Sequence, residues 1–197
     1  MCSIQEDNNY HLSVYKYSAP SASYLAGFID GDGCIFIRKL KGGYQSGISF
    51  AQSRTNILQV VRHHFGGSIT SSFKRNSHTN DEPVTKHTKR NQYNLNIRSN
   101  EYIHIMNYVR YSIIIKQMQI DCLVQFSKLC NQIGLTEEKE KLYQQCSTLN
   151  KVHSSKSEYD FSRINIDYIS GIFDAEGCIY MNSQNYRKFY VKITQKN

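Results

Sequence analysis

The chain of 197 residues contains no tryptophan and only two prolines, and no stretch of it is apolar for long enough to cross a bilayer. Its six cysteines form no CxxC pair and its seven histidines form no HExxH pair, so the common zinc-binding spacings are missing. No segment has the composition of a signal peptide or an Arg-rich transit peptide. We therefore expect reduced cysteines, no zinc site and no membrane partner, in a protein made in the compartment where it acts.

Positive charge and tyrosine are plentiful. The net charge is +8, the isoelectric point is about 9.1, and there are 15 tyrosines. A basic balance of this size favours a polyanionic partner, most simply nucleic acid.

One short segment occurs twice. Residues 24–35 read YLAGFIDGDGCI and residues 168–179 read YISGIFDAEGCI, with six identical positions. Ser23 and Asp167 precede the two apolar runs and predict helix starts, since both residue types are good N-caps. Cys34 and Cys178 hold matching places in the copies, where we expect them to face a core.

Small residues recur four positions apart in each copy. Gly27 with Gly31, and Gly171 with Ala175, would lie on one face of their helices. Such a face allows two helix backbones to approach closely. The pattern therefore predicts that the two helices pack on each other.

Each copy carries an acidic residue where its predicted helix ends, Asp32 in the first and Glu176 in the second. If the helices pair, these carboxylates meet, and at about 5 Å they repel by roughly 3 kcal/mol in an effective dielectric near 20. A divalent cation removes that cost, and ligation by oxygen alone suits Mg²⁺. The alternative is that each helix is an ordinary core element with a solvated acidic end.

The remaining pattern predicts an α+β unit that begins with the first motif. Its order is helix, two strands, helix, two strands, helix, helix. The predicted elements are Cys34–Lys39, Tyr44–Gln52, Asn56–Phe65, Ser68–Arg75, Gln92–Arg98, Glu101–Val109 and Ile113–Leu129, followed by a helix that Thr136 would cap. The predicted domains are an arm over 1–20, a first unit over 21–130, a connector over 131–164 and an incomplete second unit over 165–197.

The second copy stops after its predicted hairpin. The segment 189–197 parallels 47–54, and Gln195 matches Gln52 if one residue is deleted. Two strands without covering helices leave an apolar face poorly buried. We therefore expect the C-terminal segment to be the least stable part of the chain.

The string LAGFIDGDG at residues 25–33 resembles the signature of the LAGLIDADG homing endonucleases, and the two copies resemble the single-chain members. The resemblance implies an αββαββα fold with a DNA-facing antiparallel sheet, Mg²⁺ as cofactor, and a monomer with two motif copies when the protein is full length. It implies that Asp32 and Glu176 bind metal together with the carbonyls of Gly31 and Ala175. The catalytic water network would be shaped by Gln52, Lys116 and Gln195.

The polar faces of the predicted strands are the candidate DNA-binding surface. Long amides and Arg can pair with base edges in the major groove, and Lys and Arg in and beside a loop over 76–91 can hold phosphates. The candidate residues are Arg38, Gln45, Ser49, Thr70, Ser72, Gln92, Asn94 and Asn96 for bases, and Lys74, Lys86, Lys89 and Arg90 for phosphates.

Three functions fit this sequence. The first is a site-specific, Mg²⁺-dependent homing endonuclease that cuts both strands of DNA, encoded in an intron and acting in a mitochondrion or chloroplast by family resemblance. The second is a maturase that binds group I intron RNA. The third is an inactive DNA-binding relic. Two retained acids favour the nuclease, because a pure binder has no use for paired carboxylates.

Overall fold

The computed structural model describes residues 18–72, 92–98, 100–130, 132, 134–151, 159–181 and 189–193. Most of the predicted arm, the predicted basic loop with Lys74, Lys86, Lys89 and Arg90, and the predicted water-network residue Gln195 lie outside the described residues.

The predicted order of elements is confirmed. The first unit runs α1 (Ala22–Asp32), β1 (Gly33–Leu40), β2 (Gly43–Gln52), α2 (Asn56–Phe65), β3 (Ser68–Ser72), β4 (Gln92–Arg98), α3 (Glu101–Val109) and α4 (Gln117–Leu129). The chain continues through α5 (Thr136–Leu149), α6 (Ile166–Glu176), β5 (Gly177–Met181) and β6 (Phe189–Ile193). None of the described helices is both long and apolar enough to cross a membrane.

The first four strands form one antiparallel sheet in the order β1-β2-β4-β3. One face carries Ile35, Ile48, Phe50, Leu95 and Ile97, all fully or almost fully buried. The helices cover this face, and no helix of the described ranges packs on the other. The division follows the period-two alternation of the strands, because successive side chains point to opposite sides.

The two motif helices α1 and α6 pack on each other, as the sequence predicts. Their predicted N-caps are wrong by two residues. The hydroxyl of Ser21 and the side-chain oxygen of Asn165 accept the capping hydrogen bonds, from the N–H groups of Tyr24 and Tyr168. The residues expected to cap reach across the helix pair instead: Asp167 accepts from Ser21, and Ser23 accepts from Asn165.

Two other helix starts also differ from the prediction. Helix α4 begins at Gln117 rather than Ile113, and in the segment before it the N–H groups of residues 114–116 donate to the Asp30 carboxylate. Helix α5 begins at Thr136 itself, with Leu135 at the N-cap position and no side-chain capping bond. The bonds to Asp30 are long-range contacts, which the local sequence does not predict.

The expected burial of the motif cysteines is wrong. Cys34 and Cys178 are both exposed. Each directly precedes an isoleucine of the apolar face, so the alternation of the strand turns the thiol to the opposite face.

The second unit repeats the first hairpin in register. Gly177 pairs with Ile193 as Gly33 pairs with Phe50, and counting two residues on from each pair makes Gln195 the sequence counterpart of Gln52. Its apolar side chains are uncovered among the described residues. Ile179 is 64% exposed and Val191 is 69% exposed, whereas their counterparts Ile35 and Ile48 are 1% and 0% exposed. The expected poorly buried face is therefore present.

Candidate active site and nucleic-acid interface

The motif helices converge because glycines remove the side chains between them. A Cβ added to Gly27 would lie 2.0 Å from the carbonyl oxygen of Tyr168, and one added to Gly171 would lie 2.0 Å from that of Tyr24. At the lower end, a Cβ on Gly31 would lie 2.4 Å from the Cβ of Ala175. This contact continues to the last residues of the helices.

Asp32 and Glu176 meet at that end of the helix pair. A Cβ added to Gly31, the residue before Asp32, would lie 3.5 Å from Cγ of Glu176, and the charge of Glu176 acts on the Asp32 carboxyl. Burial, followed by the charge of Glu176, raises the pKa of Asp32 to about 6, while Lys116 opposes the rise. The predicted meeting of the two acids is thus present in the fold, where burial and the charge of Glu176 both disfavour the ionised form of Asp32.

Gln52 ends β2 beside the acids. Its Nε2 atom donates a hydrogen bond to Oδ2 of Asp32. Gln52 lies on the same strand parity as the core residues Ile48 and Phe50, but it is the last strand residue and only half-buried. The sheet therefore brings a neutral donor to the carboxylate that the helix supplies.

The side chain of Lys116, which precedes α4, packs against the C-terminal end of α1. Its Nζ atom donates to the backbone oxygens of Ile29 at 2.8 Å, Gly31 at 3.3 Å and Gly33 at 2.7 Å. Burial lowers the pKa of Lys116, and the nearby acids Asp30, Asp32 and Glu176 work against that effect. A cation at this end of the helix also complements the partial negative charge of the helix dipole.

Asp30 was not among the predicted site residues. It is fully buried, and its carboxylate accepts hydrogen bonds from the N–H groups of Ile114, Ile115 and Lys116 and from the hydroxyl of Tyr168. The sequence repeat could have identified Asp30 and Tyr168, because both motif copies have an aspartate and a tyrosine at these positions.

The residues present fit a divalent cation. Carboxylates of Asp32 and Glu176 and carbonyls of Gly31 and Ala175 are hard oxygen ligands of the kind Mg²⁺ prefers. Within the described ranges, no three His, Cys, Asp or Glu side chains cluster as a metal site. A cation here would rely on the two acids, backbone oxygen and water, as Mg²⁺ commonly does.

The uncovered face of the first sheet carries the predicted polar residues. Cross-strand partners share a face, and Arg38 pairs with Gln45, Ser49 with Asn96, and Asn94 with Thr70. Ser72 pairs with Gln92 at the far end of β4. The register of the strands therefore puts the eight predicted base-contacting positions on one face of the sheet, which we call the polar face.

Two residues were missed on this face. Arg98 pairs with Gly47 and is exposed, and Cys34 pairs with Ser49. Phe36 also lies here, yet it is buried because the guanidinium of Arg38 stacks 4.3 Å from its ring centroid. Gly47 makes room for this ring, since a Cβ on it would lie 3.2 Å from the ring and 2.4 Å from the oxygen of Ile97.

The second unit supplies fewer of the expected groups. Glu176 and Ala175 lie at the helix pair, and Gln195 falls outside the described residues. The counterpart of Ser49 on the second hairpin is Lys192. No described residue of this unit takes the place that Lys116 has in the first.

Comparison with known families agrees with these features. Residues 19–107 match the family model of the LAGLIDADG-like domain. No curated protein sequence matches the chain.

Three solved structures are similar to this one. I-CvuI in complex with its target superposes with a TM-score of 0.51 at 19% identity, over 68% of this chain and 83% of that protein. I-AabMI bound to uncleaved DNA gives 0.54 at 17% identity, over 87% and 64%. I-SmaMI bound to uncleaved DNA in the presence of calcium gives 0.53 at 17% identity, over 87% and 65%. The chain thus spans slightly less than two thirds of the latter two, and the predicted resemblance and α+β fold are confirmed.

Proposed function

We propose, from the premise that residues 19–107 form a LAGLIDADG-like domain within the fold of the LAGLIDADG homing endonucleases, that this protein cuts both strands of DNA at a specific site with Mg²⁺. One observation carries the proposal: the meeting of Asp32 and Glu176 at the end of the helix pair, where their charges interact. Two close carboxylates destabilise the fold when no cation is bound, and a divalent cation that binds between them can also catalyse hydrolysis of a phosphodiester.

Four groups would hold Mg²⁺: the carboxylates of Asp32 and Glu176 and the carbonyls of Gly31 and Ala175. When bound, the cation supplies charge stabilisation at phosphorus and lowers the pKa of a water. With a pKa of about 6, Asp32 is mainly ionised at neutral pH and available as a ligand. Gln52 donates to Asp32 and fixes its orientation. Lys116 holds positive charge close to the acids and would offer it to the reacting phosphate.

The polar face would receive the duplex. A two-stranded antiparallel ribbon fits the major groove, and the amides and hydroxyls of the face can read base edges. Helix α1 leads from Asp32 directly into Gly33 of β1, so the catalytic acid and the reading surface are joined without a linker. Sequence recognition and cleavage would therefore be fixed relative to each other.

Structures with this fold support a DNA substrate and divalent cations. I-CvuI has been described with its own DNA target and calcium, and also with uncleaved DNA and magnesium. By family resemblance we further propose an intron-encoded protein of a mitochondrion or chloroplast that acts as a monomer with two motif copies.

The test is cleavage of a plasmid library of intron-free sites by the purified chain in Mg²⁺. We expect double-strand cuts that EDTA abolishes and that Asp32→Asn and Glu176→Gln each abolish. Asp174→Asn is the matched control, because this exposed carboxylate lies on the same helix as Glu176 but away from the paired acids. Cutting that survives Asp32→Asn would refute the metal role.

Two other outcomes identify the competing functions. Tight binding of group I intron RNA without DNA cleavage would indicate the maturase. DNA binding without cleavage, in any divalent metal, would indicate the relic.

A further inference from the structure

Asp30 joins three parts of the molecule through one carboxylate. Its Oδ2 atom accepts from Ile114 N–H at 2.9 Å, Ile115 N–H at 3.0 Å and the Tyr168 hydroxyl at 2.8 Å, and its Oδ1 atom accepts from Lys116 N–H at 2.8 Å. The side chain is fully buried. A buried carboxylate with this many donors fixes the groups that donate to it, because losing the acceptor would strand several buried N–H groups.

The consequence is the position of Lys116. Its backbone is held by the carboxylate of Asp30, while its Nζ reaches the carbonyls of Ile29, Gly31 and Gly33 on either side of that residue. The lysine is thus bound at both ends to the last turn of α1. Without the backbone anchor, only the flexible stem of Lys116 would connect its charge to the acids.

The other motif copy lacks this arrangement. Asp174, the counterpart of Asp30, is exposed and accepts a hydrogen bond from Tyr24 at 2.7 Å, the counterpart of the Tyr168 bond. Among the described residues, no backbone N–H donates to Asp174. The tyrosine–aspartate pair is therefore common to both copies, whereas the clamp on a lysine-bearing segment belongs to Asp30 alone.

We propose that Asp30 is a positioning residue that places Lys116 beside Asp32 and Glu176, and that Tyr168 links this placement to the packing of the second motif helix. The proposal rests on the nuclease function, in which Lys116 acts at the paired acids. Asp30 itself touches no substrate: it acts through the segment 114–116.

The test measures Lys116 directly, on the full chain without DNA. A brief pulse of acetic anhydride followed by peptide mass spectrometry reports how accessible each lysine amine is. We expect Lys116 to be acetylated slowly in the unchanged protein and several-fold faster in Asp30→Asn, because an amide cannot accept at both of its ends. Asp174→Asn is the matched control and should leave Lys116 as slow as before.

Cleavage kinetics separate positioning from general damage. In Asp30→Asn we expect the single-turnover rate at saturating DNA to fall while the DNA affinity stays within a few-fold. Thermal unfolding checks that the variant is folded. A folded Asp30→Asn that acetylates Lys116 at the original rate, or that loses DNA affinity but not turnover, would overturn the proposal.

A second, milder variant tests the proposal if Asp30→Asn does not fold. Tyr168→Phe removes one of the four donors and leaves the segment 114–116 attached, so we expect a smaller increase in Lys116 acetylation. Tyr24→Phe, its counterpart, should cause none. If Tyr168→Phe and Tyr24→Phe behave alike, the proposal is wrong. If the unchanged chain cuts no DNA, the nuclease function fails, while the acetylation rates still decide whether Asp30 places Lys116.

Discussion

Gly27 lies against the backbone of Tyr168 so closely that a Cβ at this position would be 2.0 Å from the carbonyl oxygen. The obstacle is backbone of a packed helix, which cannot rotate away as a side chain can. The same relation holds in reverse between Gly171 and Tyr24. The helix pair thus depends on the absence of side chains at two matched positions.

Gly27→Ala should destabilise the protein by about 1–3 kcal/mol, since it forces the helices apart in a packed interface. The measurement is urea unfolding followed by circular dichroism. Gly42→Ala is the control, because a Cβ at Gly42 meets no heavy atom within 4 Å and should change stability by less than about 0.5 kcal/mol. Equal stability of the two variants would show that α1 and α6 do not pack as described.

Thiol labelling tests the polar face as the DNA-binding surface. Cys34 lies on this face and is exposed, whereas Cys130 is exposed near Ser46 and Tyr102, on the opposite side of the sheet. With a maleimide and peptide mass spectrometry, we expect bound duplex to slow labelling of Cys34 and to leave Cys130 unchanged. Protection of both thiols, or of Cys130 alone, would place the DNA elsewhere.

The buried thiols give the reference for that experiment. Cys122 and Cys146 are buried, and burial raises the pKa of Cys146 to about 11. Both should remain unlabelled in the native protein and react only in denaturant, because the thiolate is the reactive form.

The contact between α5 and β1 predicts a pH dependence of stability. Glu140 accepts hydrogen bonds from Lys39 at 2.7 Å and from the Tyr44 hydroxyl, which lowers the pKa of Glu140 to about 2. A carboxyl whose pKa falls on folding stabilises the fold above its usual pKa of about 4.5, and this contribution is lost as the pH falls towards 2. Glu140→Gln should therefore lower the urea midpoint at pH 7 and have little effect near pH 2.

A double-mutant cycle with Lys39→Met tests whether Glu140 stabilises the fold through its ion pair with Lys39. In the Lys39→Met background, Glu140→Gln should lower the free energy of unfolding at pH 7 by less than it does in the unchanged protein. The same cost in both backgrounds would mean that the ion pair contributes nothing.

The elements with clear periodicity could be predicted from the sequence. The bounds of α2, α3 and β4 agree with the prediction, because each has a strong apolar pattern and a glycine or a polar residue at its end. The repeat also predicted the α1–α6 contact and the meeting of Asp32 with Glu176. The parity of the strands predicted the polar face, whose role in DNA binding stays a prediction.

Three of the failures depend on how distant parts of the chain pack together. Helix α4 starts after a segment that is bonded to Asp30, 84 positions from Ile114. Ser23 and Asp167 do not cap because their side chains bond the opposite helix. Cys34 is exposed because only one face of β1 is covered. Local propensity contains none of this information.

The central claim is that Asp32 and Glu176 form one cation site, and Mn²⁺ binding followed by electron paramagnetic resonance tests it without DNA or turnover. We predict that the unchanged chain binds Mn²⁺, that Asp32→Asn and Glu176→Gln each weaken binding strongly, and that the double variant is little worse than either. Asp174→Asn should bind as the unchanged chain does. Mn²⁺ binding that is unaltered by Asp32→Asn, or losses from the two variants that simply add, would contradict a shared site.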